Sequence, residues 1–285
     1  MNVPQYLIRR LEQAQYLDRW AKPLAATVSR VVHPRAVRNL LSGTNVGHPL
    51  HPMLTDVPIG AWAMSTLLDT LGGPGVERSA DLLVSAGLLA AVPTAASGLN
   101  DWSDTYGSDT RVGLAHAVLN TTALSLYVAS LAARARGHRG PGKALGLAGF
   151  GVLLAGSYLG GHLSFTRGVN VNRTAWQDGP REWTPVLADA DLSDGQHRAV
   201  DASGVPVLLY RTPARIQAIA NICSHMGGPL DEGTIADGCV TCPWHASVFR
   251  FTDGAVLRGP ASSPQPRYET RISGDRIEVR ATPLT

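Results

Sequence analysis

Long uncharged apolar runs dominate the middle of the chain. No charged residue occurs in the runs 82–99, 112–133 and 144–165. A helix that crosses the apolar core of a bilayer needs about 20 such residues, and each run is close to that length. A fourth run, residues 53–71, is of similar length and carries an aspartate near each end. The pattern predicts an all-α bundle of four transmembrane helices.

The first 44 residues have a different pattern, which is basic and amphipathic. Apolar residues recur at helical spacing from Leu7 to Val31, and seven Lys or Arg residues stand against two acidic ones. Pro23 lacks a backbone donor and therefore predicts a break between two amphipathic helices. Such helices lie either in the membrane interface or against the neighbouring domain. Residues 1–44 are therefore predicted to form a helical arm.

After residue 182 the pattern becomes that of a small all-β domain. Short runs of β-forming residues alternate with turn sequences such as Asp253-Gly254. The predicted strands are residues 205–211, 216–222, 248–251, 268–272 and 277–281. About 100 residues are enough for a domain that folds alone. The chain is therefore predicted to be a multidomain membrane protein, with an arm at 1–44, a membrane domain at 45–172 and a β domain at 182–285.

Composition explains why the average hides this division. The mean hydropathy is +0.00, but it averages an apolar block with a basic arm and a polar β domain. Charged residues make up only 16% of the chain, below the usual quarter of soluble proteins. The net charge of +3 is too small for a nucleic-acid-binding surface. Membrane lipid is the expected surrounding, and nucleic acid is not an expected partner.

The clearest chemical signal lies inside the β domain. Cys223-Ser224-His225 is followed, after sixteen residues, by Cys242-Pro243-Trp244-His245. Two thiolates and two imidazoles at this spacing suit a [2Fe–2S] cluster in which histidines replace cysteines on one iron. A Cys₂His₂ zinc site is the alternative, because Cys239 and Cys242 have the C-x₂-C spacing typical of zinc.

At these residues the sequence resembles the Rieske iron–sulfur family. The resemblance covers residues 182–282 and is carried by NICSHMGGPL at 221–230, CVTCPWHASVF at 239–249 and DGAVLRGPA at 253–261. It implies an ISP-like Rieske fold, one [2Fe–2S] cluster per chain and an electron-transfer role without catalytic residues. The ligands it implies are Cys223, His225, Cys242 and His245.

Departures from the family pattern refine this expectation. Ala246 replaces a common glycine, Phe249 replaces a tyrosine of high-potential members, and their second pair of loop cysteines is absent. Fewer hydrogen bonds to sulfur favour a low reduction potential. No histidine follows His245 in the short remainder of the sequence. A two-His-one-carboxylate iron site is therefore not expected there, and the chain is predicted to be an electron carrier rather than a stand-alone oxygenase.

The membrane half resembles the family of bacterial membrane proteins called DUF2231. The resemblance covers about residues 40–172 and is carried by residues 47–71, 98–102, 111–120 and 158–171. It implies no activity. In a four-span bundle, however, the start of spans 1 and 3 and the end of spans 2 and 4 lie on one membrane face. This parity places four histidines on one face, and two of them are predicted to hold a haem b or to line a quinone pocket, with a structural hydrogen-bond cluster as the alternative. His48 is one of the four, and the candidate ligands are His51, His116 and His162.

Basic residues give only a weak indication of orientation. Six lie near the spans on the face of the termini and five on the opposite face, and five more lie in the N-terminal arm. Together they favour termini on the cytoplasmic side. The predicted location is the bacterial cytoplasmic membrane, with multiple spans and a cytoplasmic Rieske domain. The predicted function is one-electron transfer to a redox partner protein or a quinone. The alternative is a redox-sensing or assembly protein whose cluster state alters the membrane domain.

Overall fold

The computed structural model describes residues 3–282 and divides them into two compact units. One unit contains residues 3–33 and 50–169, and the other contains residues 34–49 and 170–282. The second unit therefore includes a segment from before the first long apolar helix. Each unit has its own apolar core.

Seven helices lie in the N-terminal half of the described chain. They are α1 (Val3–Gln13), α2 (Asp18–Val32), α3 (Arg35–Ser42), α4 (Leu50–Leu71), α5 (Glu77–Trp102), α6 (Ser108–Ala135) and α7 (Arg139–Gly161). A π-helical turn, His162–Thr166, continues α7. Helix α3 belongs to the second unit and the other six belong to the first.

The break in the N-terminal arm is not at Pro23, as the sequence predicted. It lies at residues 14–17, where a short 3₁₀ turn separates α1 from α2. Pro23 is inside α2, where it removes a single backbone hydrogen bond near the start of the helix. Packing compensates for that loss, because Ala21 and Ala25 on either side of Pro23 are buried.

Three of the described helices have the length and composition needed to cross a membrane. They are α5, α6 and the continuous helix Arg139–Thr166. Helix α4 has 22 residues, about 33 Å at 1.5 Å per residue, but it is less uniformly apolar. Helices α4 and α6 each pack on both α5 and α7.

The interior of the helical unit combines apolar packing with one buried ionic cluster. Trp62 of α4 stacks on Tyr127 of α6 with ring centroids 4.2 Å apart and planes 10° from parallel. Further along the same two helices, Arg134 is hydrogen bonded to Asp69 and also to Asp81 of α5. The side chain of Arg134 is only 1% exposed, so its charge is neutralised inside the protein.

The second unit contains two antiparallel sheets. Their strands are β1 (Thr184–Ala188), β2 (His197–Ala202), β3 (Val205–Thr212), β4 (Arg215–Ala220), β5 (Thr234–Ala236), β6 (Cys239–Thr241), β7 (Val248–Arg250), β8 (Val256–Arg258), β9 (Arg267–Ser273) and β10 (Arg276–Ala281). The larger sheet has the order β1-β10-β9-β4-β3-β2 and the smaller has the order β5-β6-β7-β8. The five predicted strands correspond to β3, β4, β7, β9 and β10.

Two apolar clusters hold this domain together and position its loops. One fills the larger sheet around Val207, Leu209 and Ile277. The other lies between the sheets and includes Phe249 together with Cys223 and Cys242. The two cysteines are thus built into a hydrophobic core, at the bases of two loops that extend from β4 and β6.

Candidate metal centre

Two hydrogen-bonded loops carry the predicted metal ligands. In the first loop, the Cys223 N–H donates to Gly228 O (2.8 Å) and the Gly227 N–H donates to Cys223 O (2.9 Å). In the second loop, the Cys242 N–H donates to Ser247 O at 2.8 Å. These bonds close each loop into a tight turn around its cysteine, which fixes the position of the sulfur.

The two cysteines lie together in the core of the β domain. Both residues are 2% exposed and belong to the same buried apolar cluster. The hydrogen bond from Cys223 lowers the pKa of the Cys242 thiol to about 7. The same bond and burial raise the pKa of Cys223. A cysteine of lowered pKa forms the thiolate that binds metals.

The two histidines form a second pair. The rings of His225 and His245 are 5.0 Å apart between centroids and nearly perpendicular, at 88°. His225 is 6% exposed, whereas His245 is half-buried. Burial lowers the pKa of His225, and the nearby charges of His245, Arg38 and Arg173 lower it further. The ring is therefore neutral, which is the form that ligates iron.

The two ligand-bearing loops approach each other closely at Gly228. A Cβ atom added to Gly228 would lie 2.9 Å from the sulfur of Cys242 and 3.0 Å from the ring of Trp244. Only glycine fits where the first loop crosses the second. The two loops are therefore packed backbone against side chain, with all four predicted ligands at their tips and bases.

The donor set fits a two-iron cluster. Among residues 3–282, no three His, Cys, Asp or Glu side chains gather around one point that could hold a single ion. A structural zinc takes four protein ligands around one ion. A Rieske-type cluster takes two protein ligands on each iron, a pair of cysteines and a pair of histidines. The two loops carry one pair of cysteines and one pair of histidines, which are the ligand types that such a cluster needs.

Sequence reasoning missed the residues that cover His225. Its Nε2 atom lies 3.1 Å from Oδ1 of Asn170, so Nδ1 is the ring nitrogen that can ligate a metal. The Arg173 N–H donates to Ser224 O at 3.0 Å, which fixes residues 170–173 on the first loop. Arg38 is 4% exposed and its charge acts on His225. Nothing in the local sequence marks these residues, because all come from outside the β domain.

The segment that carries Arg38 is bound along the edge of the β domain. Asn39 Oδ1 accepts from the Gly259 N–H at 2.9 Å, and the Thr44 hydroxyl donates to Ala261 O at 2.8 Å. Arg35 Nε donates to Leu257 O at 3.0 Å. Residues 34–49 are thus an integral part of this unit rather than a loose connection.

The residues that depart from the Rieske pattern have clear local roles. Ala246 has a φ of 58°, a left-handed conformation that costs a non-glycine residue about 1–2 kcal/mol. Phe249 is completely buried in the core that holds the cysteines.

Ser247 is also completely buried, and its hydroxyl oxygen accepts from the Ala261 N–H at 3.0 Å. An accepting hydroxyl keeps its own hydrogen as a donor.

The third cysteine lies apart from this pair. Cys239 is the first residue of β6, and its sulfur lies 3.6 Å from Asp237 O in the preceding turn. It is partly exposed, and burial raises the pKa of its thiol. Cys239 therefore provides a natural control for the two core cysteines.

The predicted membrane histidines divide into two kinds. His51 Nδ1 lies 2.9 Å from Thr94 O, and His116 Nδ1 lies 2.8 Å from Gly156 O. His162 Nε2 instead lies 3.4 Å from the Glu12 carboxylate of α1. His51 and His116 share one kind of contact with a neighbouring long helix, and His162 does not.

Two protein families match the two parts of the chain. Residues 182–269 match the Rieske [2Fe-2S] domain, and residues 47–173 match a predicted membrane protein family, DUF2231. The four predicted ligands fall inside the first match. The long helices α5 and α6 fall inside the second, as do α4 and α7.

Three individual relatives each match about a third of the chain. The ferredoxin subunit of anthranilate 1,2-dioxygenase from Burkholderia cepacia is 32% identical over 98 residues, which is 34% of this chain and 91% of that subunit. Human apoptosis-inducing factor 3 is 32% identical over 92 residues, and the chain spans only 15% of its length. The ferredoxin of carbazole 1,9a-dioxygenase from Nocardioides aromaticivorans IC177 is 28% identical, with a TM-score of 0.34; the match covers 35% of this chain and 98% of that one.

Proposed function

Because the chain belongs to the Rieske [2Fe-2S] family through residues 182–269 and carries a DUF2231 domain at 47–173, we propose that it is a membrane-bound electron carrier. One observation carries the proposal: a buried cysteine pair and a histidine pair lie on two loops that pack against each other. The ligands would be Cys223 and Cys242 on one iron, and His225 and His245 on the other. When bound, a [2Fe–2S] cluster accepts and returns one electron.

The two histidines would have different roles. His225 is covered by Asn170 and is almost inaccessible to solvent. His245 is half-buried, and the neighbouring Trp244 is 50% exposed. An exposed tryptophan beside a ligand is a favourable contact for a partner protein. Electrons would therefore enter and leave by way of His245, while His225 holds the cluster in the domain.

The membrane arrangement belongs to the same proposal. Three helices qualify as spans by length and composition, and α4 would be the fourth, because it pairs with α5 as α6 pairs with α7. The membrane would be the bacterial cytoplasmic membrane, with the Rieske domain on the cytoplasmic side. Its surrounding would be lipid, and the potential of the cluster would be low because Phe249 offers no hydroxyl to the sulfurs.

The name of the Burkholderia cepacia relative suggests the kind of partner. That protein is the ferredoxin subunit of a dioxygenase. By analogy, this chain would exchange single electrons with a redox partner protein, or with a quinone in the membrane. Its attachment to membrane helices would confine the exchange to the membrane surface.

A redox-sensing role is the second candidate, and the contact of Asn170 with His225 favours it. Asn170 directly follows Val169, the last residue of the helical unit, so a change at the cluster would act on the residue at which the chain leaves that unit. The two roles differ in electron exchange. A carrier in proteoliposomes equilibrates rapidly with a reduced partner or quinol, whereas a sensor changes conformation without turnover.

Iron and acid-labile sulfide analysis of the full chain, purified in detergent, tests the proposed cluster. We expect two irons and two sulfides per chain. Cys223→Ser and Cys242→Ser should each lose them, whereas Cys239→Ser, the matched control, should retain them. Wild-type protein that holds no iron and sulfide after reconstitution would overturn the proposal, as would retention of both by the two core variants.

A further inference from the structure

The membrane domain contains an internal repeat in which most corresponding positions hold different residue types. Four residues of α4 have a counterpart in α6, and the separation along the sequence is the same for every pair. Two of the pairs touch each other: Trp62 stacks on Tyr127, and Asp69 is ion-paired with Arg134. The pairs are His51 with His116, Trp62 with Tyr127, Ser65 with Ser130, and Asp69 with Arg134.

Helices α5 and α7 repeat in the same way, again with one constant separation. The hydroxyl of Ser65 donates to Ala80 O at 3.0 Å, and that of Ser130 donates to Gly142 O at 2.6 Å. A Cβ atom on Gly87 would strike the ring of Trp62, and one on Gly149 would press on the ring of Tyr127. The hairpins α4–α5 and α6–α7 are therefore two copies of one unit.

The contacts of the two histidines repeat as well. His51 Nδ1 meets Thr94 O, and His116 Nδ1 meets Gly156 O, at 2.9 and 2.8 Å. One helical turn further along each partner helix is a glycine. A Cβ atom added to Gly98 would lie 2.7 Å from the His51 ring, and one added to Gly160 would lie 2.9 Å from the His116 ring.

Contacts between counterparts show where the two copies meet. When a residue touches its own counterpart, an approximate twofold axis passes between them. The pairs Trp62–Tyr127 and Asp69–Arg134 define such an axis between α4 and α6, as in membrane proteins with parallel repeats. His51 and His116 therefore lie at the same level on opposite sides of this axis.

Each of these imidazoles is oriented as a metal ligand. A backbone carbonyl only accepts hydrogen bonds, so the proton of each ring is on Nδ1 and the lone pair is on Nε2. The Asn120 amide nitrogen lies 3.2 Å from both ring nitrogens of His116 and donates to His116 O at 2.9 Å, so it is not committed to Nε2. Ligating histidines characteristically donate their second ring N–H to a carbonyl or a carboxylate.

The number of ligands decides which metal group fits. Among the described residues, no third His, Cys, Asp or Glu joins this pair to hold a single ion. A bare divalent ion takes four or more ligands. A haem iron takes four from its porphyrin and needs only two axial ligands from the protein. We propose that His51 and His116 are the axial ligands of one b-type haem, bound across the twofold axis of α4–α7.

His162 is not part of this site. In the repeat it corresponds to Asn100, not to a histidine, and its Nε2 contacts Glu12 of α1. It therefore serves as a matched control in the same membrane domain.

Haem binding to the full chain, purified in detergent, tests this proposal independently of the [2Fe–2S] cluster. Hemin is titrated into wild-type protein and into Cys223→Ser, whose cluster is expected to be absent. Both should bind one haem with a low-spin spectrum. His51→Ala and His116→Ala should lose that spectrum and bind hemin at least about tenfold more weakly, whereas His162→Ala should behave as wild type.

Folding of each alanine variant is checked by its far-ultraviolet circular dichroism and its elution in size-exclusion chromatography, neither of which depends on the cluster. Imidazole added to His116→Ala should restore the low-spin spectrum. Wild-type protein that binds no hemin would overturn the proposal, and so would a low-spin spectrum unchanged by both substitutions. Quinol binding that depends on His51 and His116 in place of hemin would also overturn it and assign the pair to a quinol.

Discussion

Asn170 Oδ1 lies 3.1 Å from Nε2 of His225, although the two residues are far apart in the chain. Asn170 is the first residue after the helical unit. Its amide oxygen holds the proton of His225 on Nε2 and so directs Nδ1 towards the metal site. The residue that joins the membrane domain to the Rieske domain is thus in direct contact with a proposed cluster ligand.

Asn170→Asp should lower the reduction potential of the cluster. A negative charge beside the histidine ligand opposes addition of an electron. At an effective dielectric constant of about 20, such a charge is worth roughly 2 kcal/mol, which corresponds to roughly 50–100 mV for one electron. Redox titration of both proteins measures the shift. Asn172→Asp is the control, because Asn172 accepts from Thr174 instead; equal shifts in both variants would contradict a specific role of Asn170.

Ala246→Gly should stabilise the Rieske domain. Ala246 has a φ of 58°, and glycine adopts this conformation without the steric cost, so we expect a gain of about 1 kcal/mol. The midpoint of thermal bleaching of the cluster provides the measurement. Ala236→Gly, at an exposed position of strand β5, should instead be destabilising by about 0.5–1 kcal/mol. A loss of stability in Ala246→Gly would show that the left-handed conformation carries no penalty here.

Gly160→Ala should destabilise the membrane domain, against the general preference of helices for alanine. The new Cβ atom would lie 2.9 Å from the ring of His116, and such overpacking costs about 1–3 kcal/mol. Gly151 lies on the same helix with nothing within 4 Å of an added Cβ. Gly151→Ala should therefore be neutral or stabilising. Thermal unfolding in detergent compares the two, and equal midpoints would be evidence against close packing of His116.

Arg134→Gln should be strongly destabilising. The Arg134 side chain is 1% exposed and pairs with Asp69, whose side chain is 7% exposed. Removing the cation leaves a buried carboxylate without its charge partner, which costs about 3–5 kcal/mol. Arg136→Gln, on the exposed surface two residues away, is the control and should change the unfolding midpoint little. Similar midpoints for both variants would mean that the buried ion pair contributes no stability.

The sequence was most informative where chemistry depends on neighbours in the chain. The spacing of Cys223, His225, Cys242 and His245 identified both loops, because each loop carries its own pair of ligand types. The long strands β3, β4, β9 and β10 were recognisable by their β-forming residues. Five strands were not predicted: β1, β2, β5, β6 and β8. Three of these, β5, β6 and β8, have only three residues, and strands this short form through pairing rather than through local preference.

Features that depend on distant contacts could not be predicted in the same way. Asn170, which follows the membrane domain in the chain, contacts His225, and nothing in its local sequence indicates it. Arg38, which precedes the membrane domain, is buried in the same unit as the β domain. The helical repeat is equally hidden. Its counterparts are chemically different residues, such as Trp62 with Tyr127, and they correspond through their contacts rather than through their identity.

The most direct test of the central claim is an EPR-monitored reductive titration of the full chain in lipid nanodiscs. We predict a single paramagnetic signal of a reduced two-iron cluster, appearing in a one-electron step at the low end of the range from about −150 to +300 mV for Rieske centres. The signal should be absent from Cys242→Ser and retained in Cys239→Ser. No signal on full reduction of reconstituted wild-type protein would contradict the assignment of this chain as an electron carrier.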